Sequence, residues 1–126
     1  MDSPNENQTA LIYAIDNEKD FLLFLRTTLE FYGYSVRDFE SGKQAISSIL
    51  EFQPKLVIAD FLLDDISGLE VCKKTKELSP DIGTILLTGW SAMPKEDILG
   101  IVDFIIVKPY ETTELLRVIR KILHGE

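Results

Sequence analysis

The chain has 126 residues, 45% hydrophobic and 27% charged, with 7 glycines and 5 prolines. That length suits one ordinary domain of about 100–150 residues with a real core, and the composition excludes collagen-like or disordered character. With 21 acidic against 13 basic residues the net charge is −8, so the attraction to phosphate backbones that non-specific nucleic-acid binding requires is missing.

The single cysteine, Cys72, and the single histidine, His124, exclude an internal disulfide and the usual zinc ligand sets. No apolar run approaches the roughly 20 residues needed to cross a bilayer. A cytoplasmic protein without membrane contact is expected. Residues 1–9 are polar, with Pro4, Asn5, Asn7 and Gln8 and nothing to bury, and read as a disordered leader before a folded domain over 10–126.

From there, short uninterrupted apolar runs predict strands covered on both faces: Ala10 to Ile15, Leu56 to Ala59, Ile85 to Leu87 and Phe104 to Val107. Tyr34 to Phe39, with Val36 between polar neighbours, predicts an edge strand. Between the runs the apolar spacing turns helical. Phe21, Leu22, Leu25 and Leu29 form a stripe ahead of Gly33. Ala45, Ile46, Ile49 and Leu50 form another behind a Ser41 cap, and Leu69 and Cys72 begin a third behind Ser67. Ser91 to Leu99, with Pro94 near its start, reads as a short fourth helix, and Leu115, Ile119, Ile122 and Leu123 mark the last. Five strand-helix units imply right-handed crossovers and a parallel sheet with helices on both faces. The expected fold is α/β, flavodoxin-like, with five strands in the order 2-1-3-4-5 and a site beyond their carboxyl ends.

Four runs stop at a polar residue: Asp16, Asp60, Thr88 and Lys108. Neighbouring strands would bring these side chains to one rim. Carboxylates that hold a hard divalent ion, beside a hydroxyl and a cation that meet phosphoryl oxygens, suit phosphoryl transfer. A carboxylate can itself be the nucleophile, giving an aspartyl phosphate.

With Asp16-Asn17-Glu18 after the first strand, Asp60 followed by Gly68, Thr88-Gly89, and Lys108-Pro109-Tyr110, the chain resembles the receiver domains of two-component response regulators from about Ala10 to His124. The resemblance implies a signalling module rather than an enzyme. Asp60 would accept a phosphoryl group from a sensor histidine kinase or phosphotransfer protein, and the change would pass to a downstream output domain or protein. It also implies a Mg2+ site formed by Asp16, Asn17, Asp60 and the backbone carbonyl of Leu62. Thr88 and Lys108 would bind the phosphoryl group, and the Lys108-Pro109 bond would be cis.

The chain departs from that pattern in three places. Asn17 stands where the family usually has a second acid, which should weaken metal binding. Asp64 stands where the family has proline, and a loop acid of this kind is expected to be simply solvated. The fifth strand carries one extra residue, so Ile105 occupies the place of the family's switch aromatic; either a bulge displaces Phe104 or the coupling of threonine to aromatic is absent. Leu62 and Trp90 lie where the family shapes water access to the phosphoryl group, although Trp90 could equally be plain surface packing. Cys72 reads as a small core residue and His124 as a cation at a helix C-terminus. Besides an active receiver, two readings stay open: a degenerate receiver that binds proteins without phosphorylation, and a small phosphatase of the haloacid dehalogenase type.

Overall fold

The computed structural model describes residues 10–126, so the expected leader lies outside the described residues. Five parallel strands, β1 (Leu11–Ile15), β2 (Ser35–Phe39), β3 (Leu56–Asp60), β4 (Gly83–Thr88) and β5 (Phe104–Val107), form one sheet in the order β2-β1-β3-β4-β5. Four α-helices connect and close it: α1 (Lys19–Phe31), α2 (Gly42–Ile49), α3 (Gly68–Leu78) and α4 (Thr112–His124). The expected flavodoxin-like order is therefore the observed one. Among the described residues no helix is long and apolar enough to cross a membrane.

The apolar runs lack polar alternation because successive side chains serve opposite layers. Along β3, Leu56 and Ile58 pack with Leu22, Leu25 and Leu29 of α1 and Leu115 and Ile119 of α4. Val57 and Ala59 pack on the other side with Ala45 and Ile49 of α2 and Val71 of α3. Fully burying each large aliphatic side chain contributes about 1.5–3 kcal/mol. Cys72 is buried in this second layer with Leu69 and Leu86, and burial pushes its thiol up to about 12. β2 is the edge strand, burying Val36 while Ser35 and Arg37 are exposed.

The hydroxyls of Ser41 and Ser67 accept from the backbone N–H groups of Gln44 and Glu70, capping α2 and α3. Leu50, read as part of the second stripe, instead ends that helix as an exposed C-cap residue.

The helix expected over Ser91 to Leu99 does not form. A single 3-10 turn, Trp90–Ala92, is followed by an extended Met93 (ψ 138°). Proline bars α geometry from the residue before it, so Pro94 ends the turn rather than opening a helix. The remainder also lacks a stripe to bury, since Lys95, Glu96, Asp97 and Leu99 are all exposed. The carboxylate of Asp97 instead accepts from Leu99 N–H in a local turn, and Gly100 follows at φ 78°.

β5 rules out the first possibility raised by the extra residue, a bulge. It pairs with β4 in unbroken register from Ile85–Phe104 to Thr88–Val107, without a bulge. Phe104 packs on the α1 and α4 layer, and Ile105 packs with Leu69, Cys72 and Leu86 on the opposite face.

Candidate functional site

The strand order places the ends of β1, β3, β4 and β5 side by side, where ligands bind in open parallel sheets. Asp16 follows β1 and is fully buried. Its Oδ1 accepts from Glu18 N–H at 2.8 Å, a turn that leads the chain into α1. Asp60 is the last residue of β3, and Gly68 explains its fixed position. A Cβ on Gly68 would lie 2.1 Å from the Asp60 carbonyl oxygen, so only glycine allows α3 to start this close to the strand end.

Lys108 joins the two acids. Its Nζ lies 2.8 Å from Asp60 Oδ1 and 3.4 Å from Asp16 Oδ2, and it sits 4.1 Å from the centre of the Phe21 ring. The Phe21 ring meets Tyr110 edge-on at 6.2 Å. The Lys108-Pro109 bond is cis, as the resemblance implied.

Burial raises the pKa of Asp16, against the opposing pull of the Glu18 N–H and of Lys108. Burial also works to lower Lys108, but the hydrogen bond and charge of Asp60, with Asp16 behind it, outweigh it and raise its pKa. One ammonium thus serves two carboxylates at a half-closed rim.

Thr88 ends β4 and lines the same cleft of about 360 Å³ as Asn17, Glu18, Asp60, Leu62, Gly89 and Lys108. Its hydroxyl donates to the Ala92 carbonyl at 2.9 Å, tying the strand end to the 3-10 turn. Leu62 is exposed at the cleft. Trp90 is exposed at the surface and is absent from the cleft lining, which favours the plainer reading of that residue.

Asp64 is exposed in its loop as expected, but it is not without a protein partner. Asn17 Nδ2 donates to Asp64 Oδ1 at 3.0 Å. Asp65, which the sequence reading passed over, holds the start of α2. Its carboxylate accepts from Ser41 Oγ at 2.8 Å, from Lys43 N–H at 2.8 Å and from Gly42 N–H at 3.1 Å. Partial desolvation works to raise its pKa, yet these bonds and one from Ile66 N–H hold it far below the ordinary carboxylate range. By its spacing Phe21 is a core residue; its place beneath Lys108 depends on the end of β5 and α1 meeting in space.

The donors around the cleft fit a hard divalent cation. The cleft offers the Asp60 carboxylate and the Asn17 amide, whose nitrogen donates to Asp64, with the Asp16 carboxylate tied to Asp60 through Lys108, and oxygen donors of this kind suit such an ion. Among the described residues, Lys108 is the cation paired with both carboxylates.

The sequence model of the response regulator receiver domain matches residues 12–120. Response regulator MprA of Mycolicibacterium vanbaalenii is 30% identical over 115 residues, covering 89% of this chain and 49% of that protein. The chain spans about half the length of the curated relatives it matches. Among solved structures, response regulator TrrA of Thermotoga maritima, in complex with Mg2+-BeF, aligns with a TM-score of 0.84 and 29% identity over 91% of this chain and 100% of that one. A CheY-like receiver domain protein of Methanospirillum hungatei aligns with a TM-score of 0.85 and 25% identity over 92% and 94% of the two chains. With these matches the haloacid dehalogenase alternative falls away. The sheet order, the strand-end residues and the match over most of its length agree: this chain belongs to the response regulator receiver domain family.

Proposed function

We propose that this domain accepts a phosphoryl group on Asp60, in a Mg2+-dependent reaction, from a sensor histidine kinase or phosphotransfer protein, and passes the change to a downstream output domain or protein. The observation that carries this reading is the Asp60–Lys108 contact of 2.8 Å with the buried Asp16 beside it. In the reaction an Asp60 carboxylate oxygen attacks phosphorus and the bond from phosphorus to the donor nitrogen breaks. The imidazole leaves with that electron pair and regains a proton, and an acyl phosphate remains.

Lys108 already lies beside the attacking carboxylate and meets the added phosphoryl oxygens. Thr88 has one hydroxyl proton, now given to Ala92. Donating it to a phosphoryl oxygen frees the turn at Trp90–Ala92, which links chemistry to shape. Asp16, Asp60, Asn17 Oδ1 and the Leu62 carbonyl would hold Mg2+, and the bound ion would offset charge on the transferring group. The domain works as a switch and not as an enzyme with a turned-over substrate.

Incubation with Mg2+ and acetyl phosphate, followed by intact mass and site mapping, tests the reading. The wild type should gain one phosphoryl group on Asp60, and Asp60→Asn should not. Labelling that persists in that variant, or that maps to Asp16, would overturn it. Asn17 and Ile105 favour a second reading, a protein-binding module that works without phosphorylation. A stable acyl phosphate on Asp60 decides against that alternative.

A further inference from the structure

We infer that Asp64 is a positioning residue that fixes which end of the Asn17 amide faces a divalent cation in the strand-end cleft. The inference rests on the reading of that cleft as a Mg2+ site. An amide in the place of a carboxylate creates an orientation problem, because a carboxylate presents oxygen whichever way it turns, whereas an amide presents oxygen one way and two N–H donors the other. The wrong face would point positive hydrogen atoms at a dication.

Asp64 removes that ambiguity. An ionised carboxylate only accepts hydrogen bonds, so the partner it holds 3.0 Å away must be the amide nitrogen. Oδ1 is then the group Asn17 has left for the cleft it lines with Asp60, Leu62 and Lys108. Orienting a ligand from its far side is how partners behind the ligating atoms tune metal sites. Asp64 comes from the loop between β3 and α3, 47 residues away in sequence, and that loop is anchored by Asp65 on the start of α2. The acceptor is therefore held in place.

A double-mutant cycle read by Mg2+ affinity, with isothermal calorimetry on the intact chain, separates orientation from simple charge. In the Asn17 protein, Asp64→Ala should weaken Mg2+ binding on the order of 10-fold. In an Asn17→Asp background, whose carboxylate needs no orienting, the same substitution should have little effect. The Asn17 side-chain NH2 resonances should also shift on Asp64→Ala before any metal is added. Equal losses in both backgrounds would show that Asp64 acts only through its charge, and no loss in either would show that it does not act on the site; each overturns the inference. Failure of the wild type to bind Mg2+ at all would overturn the reading of the cleft itself, and the inference with it.

Discussion

Two crossovers leave the edge of the cleft, and they are built differently. After β3 the chain runs through Asp64 and Asp65 into α3, and almost every step is pinned. Phe61 N–H bonds to Leu87 O, Gly68 N–H bonds to Phe61 O, Ser67 caps the helix, and Gly68 sits against the Asp60 carbonyl. After β4 the chain makes one 3-10 turn and then an exposed, acidic stretch to Gly100, held near the site by the Thr88–Ala92 bond. The first holds Asp60 at the end of β3 in place. The second has few buried apolar contacts, which is the character of segments that open and move at low cost. A receiver needs both, and here they are neighbours across one strand.

The strongest way to break the comparison is at its two glycines. Gly68→Ala forces a Cβ into the Asp60 backbone and should cost about 3 kcal/mol in urea denaturation despite the better helix propensity of alanine. A Cβ on Gly89 meets nothing within 4 Å, so Gly89→Ala should stay within about 0.5 kcal/mol. Comparable losses at both positions would mean that the two crossovers are equally constrained.

The next largest effect is expected at Asp65. Asp65→Ala removes the carboxylate from the start of α2 and should cost about 1 kcal/mol near neutral pH, the ordinary scale for a lost helix cap. Because the folded-state pKa of Asp65 is depressed, its stabilisation is present above the unfolded value of about 3.9 and is lost as pH falls below it. The gap between wild type and variant should therefore close in acid. A gap that stays constant from neutral pH to pH 3 would show that the carboxylate charge is not what matters.

Hydrogen exchange sharpens the contrast without mutation. Amides in the 89–101 segment should exchange faster than those in α3. On adding a beryllofluoride phosphoryl mimic with Mg2+, the changes should concentrate in 89–101 and at the Thr88 end of β4. Changes confined to α1 and α2 would place the response on neither of the two crossovers.

The smallest effect concerns the lifetime of the acyl phosphate, measured after donor removal at saturating Mg2+. Leu62 lines the cleft and offers no group to orient an attacking water, whereas Trp90 stands outside it. Leu62→Asn should speed hydrolysis by admitting water and orienting it, while Trp90→Ala should leave the lifetime nearly unchanged. The reverse ranking would show that the turn at Trp90–Ala92 shields the phosphoryl group.

The sequence by itself determined the sheet, its order and the four strand-end residues. Strands buried on both faces must be apolar throughout, so a polar residue at the end of such a run marks where the chain emerges at the rim. It also marked Gly68, although the reason for it, a backbone approach that no Cβ could share, exists only in space. The 91–99 segment misled because proline is a cue for the first turn of a helix, yet a helix still needs a face to bury, and from Lys95 to Leu99 this stretch offers only Ile98. Tertiary structure alone decided the partners that lie far apart along the chain. Asp65 reaches back 22 to 24 residues to start α2, Asn17 meets Asp64 across 47, and Lys108 reaches Asp16 across 92. Periodicity reports which face of its own element a side chain occupies, and it carries no record of which element folds opposite.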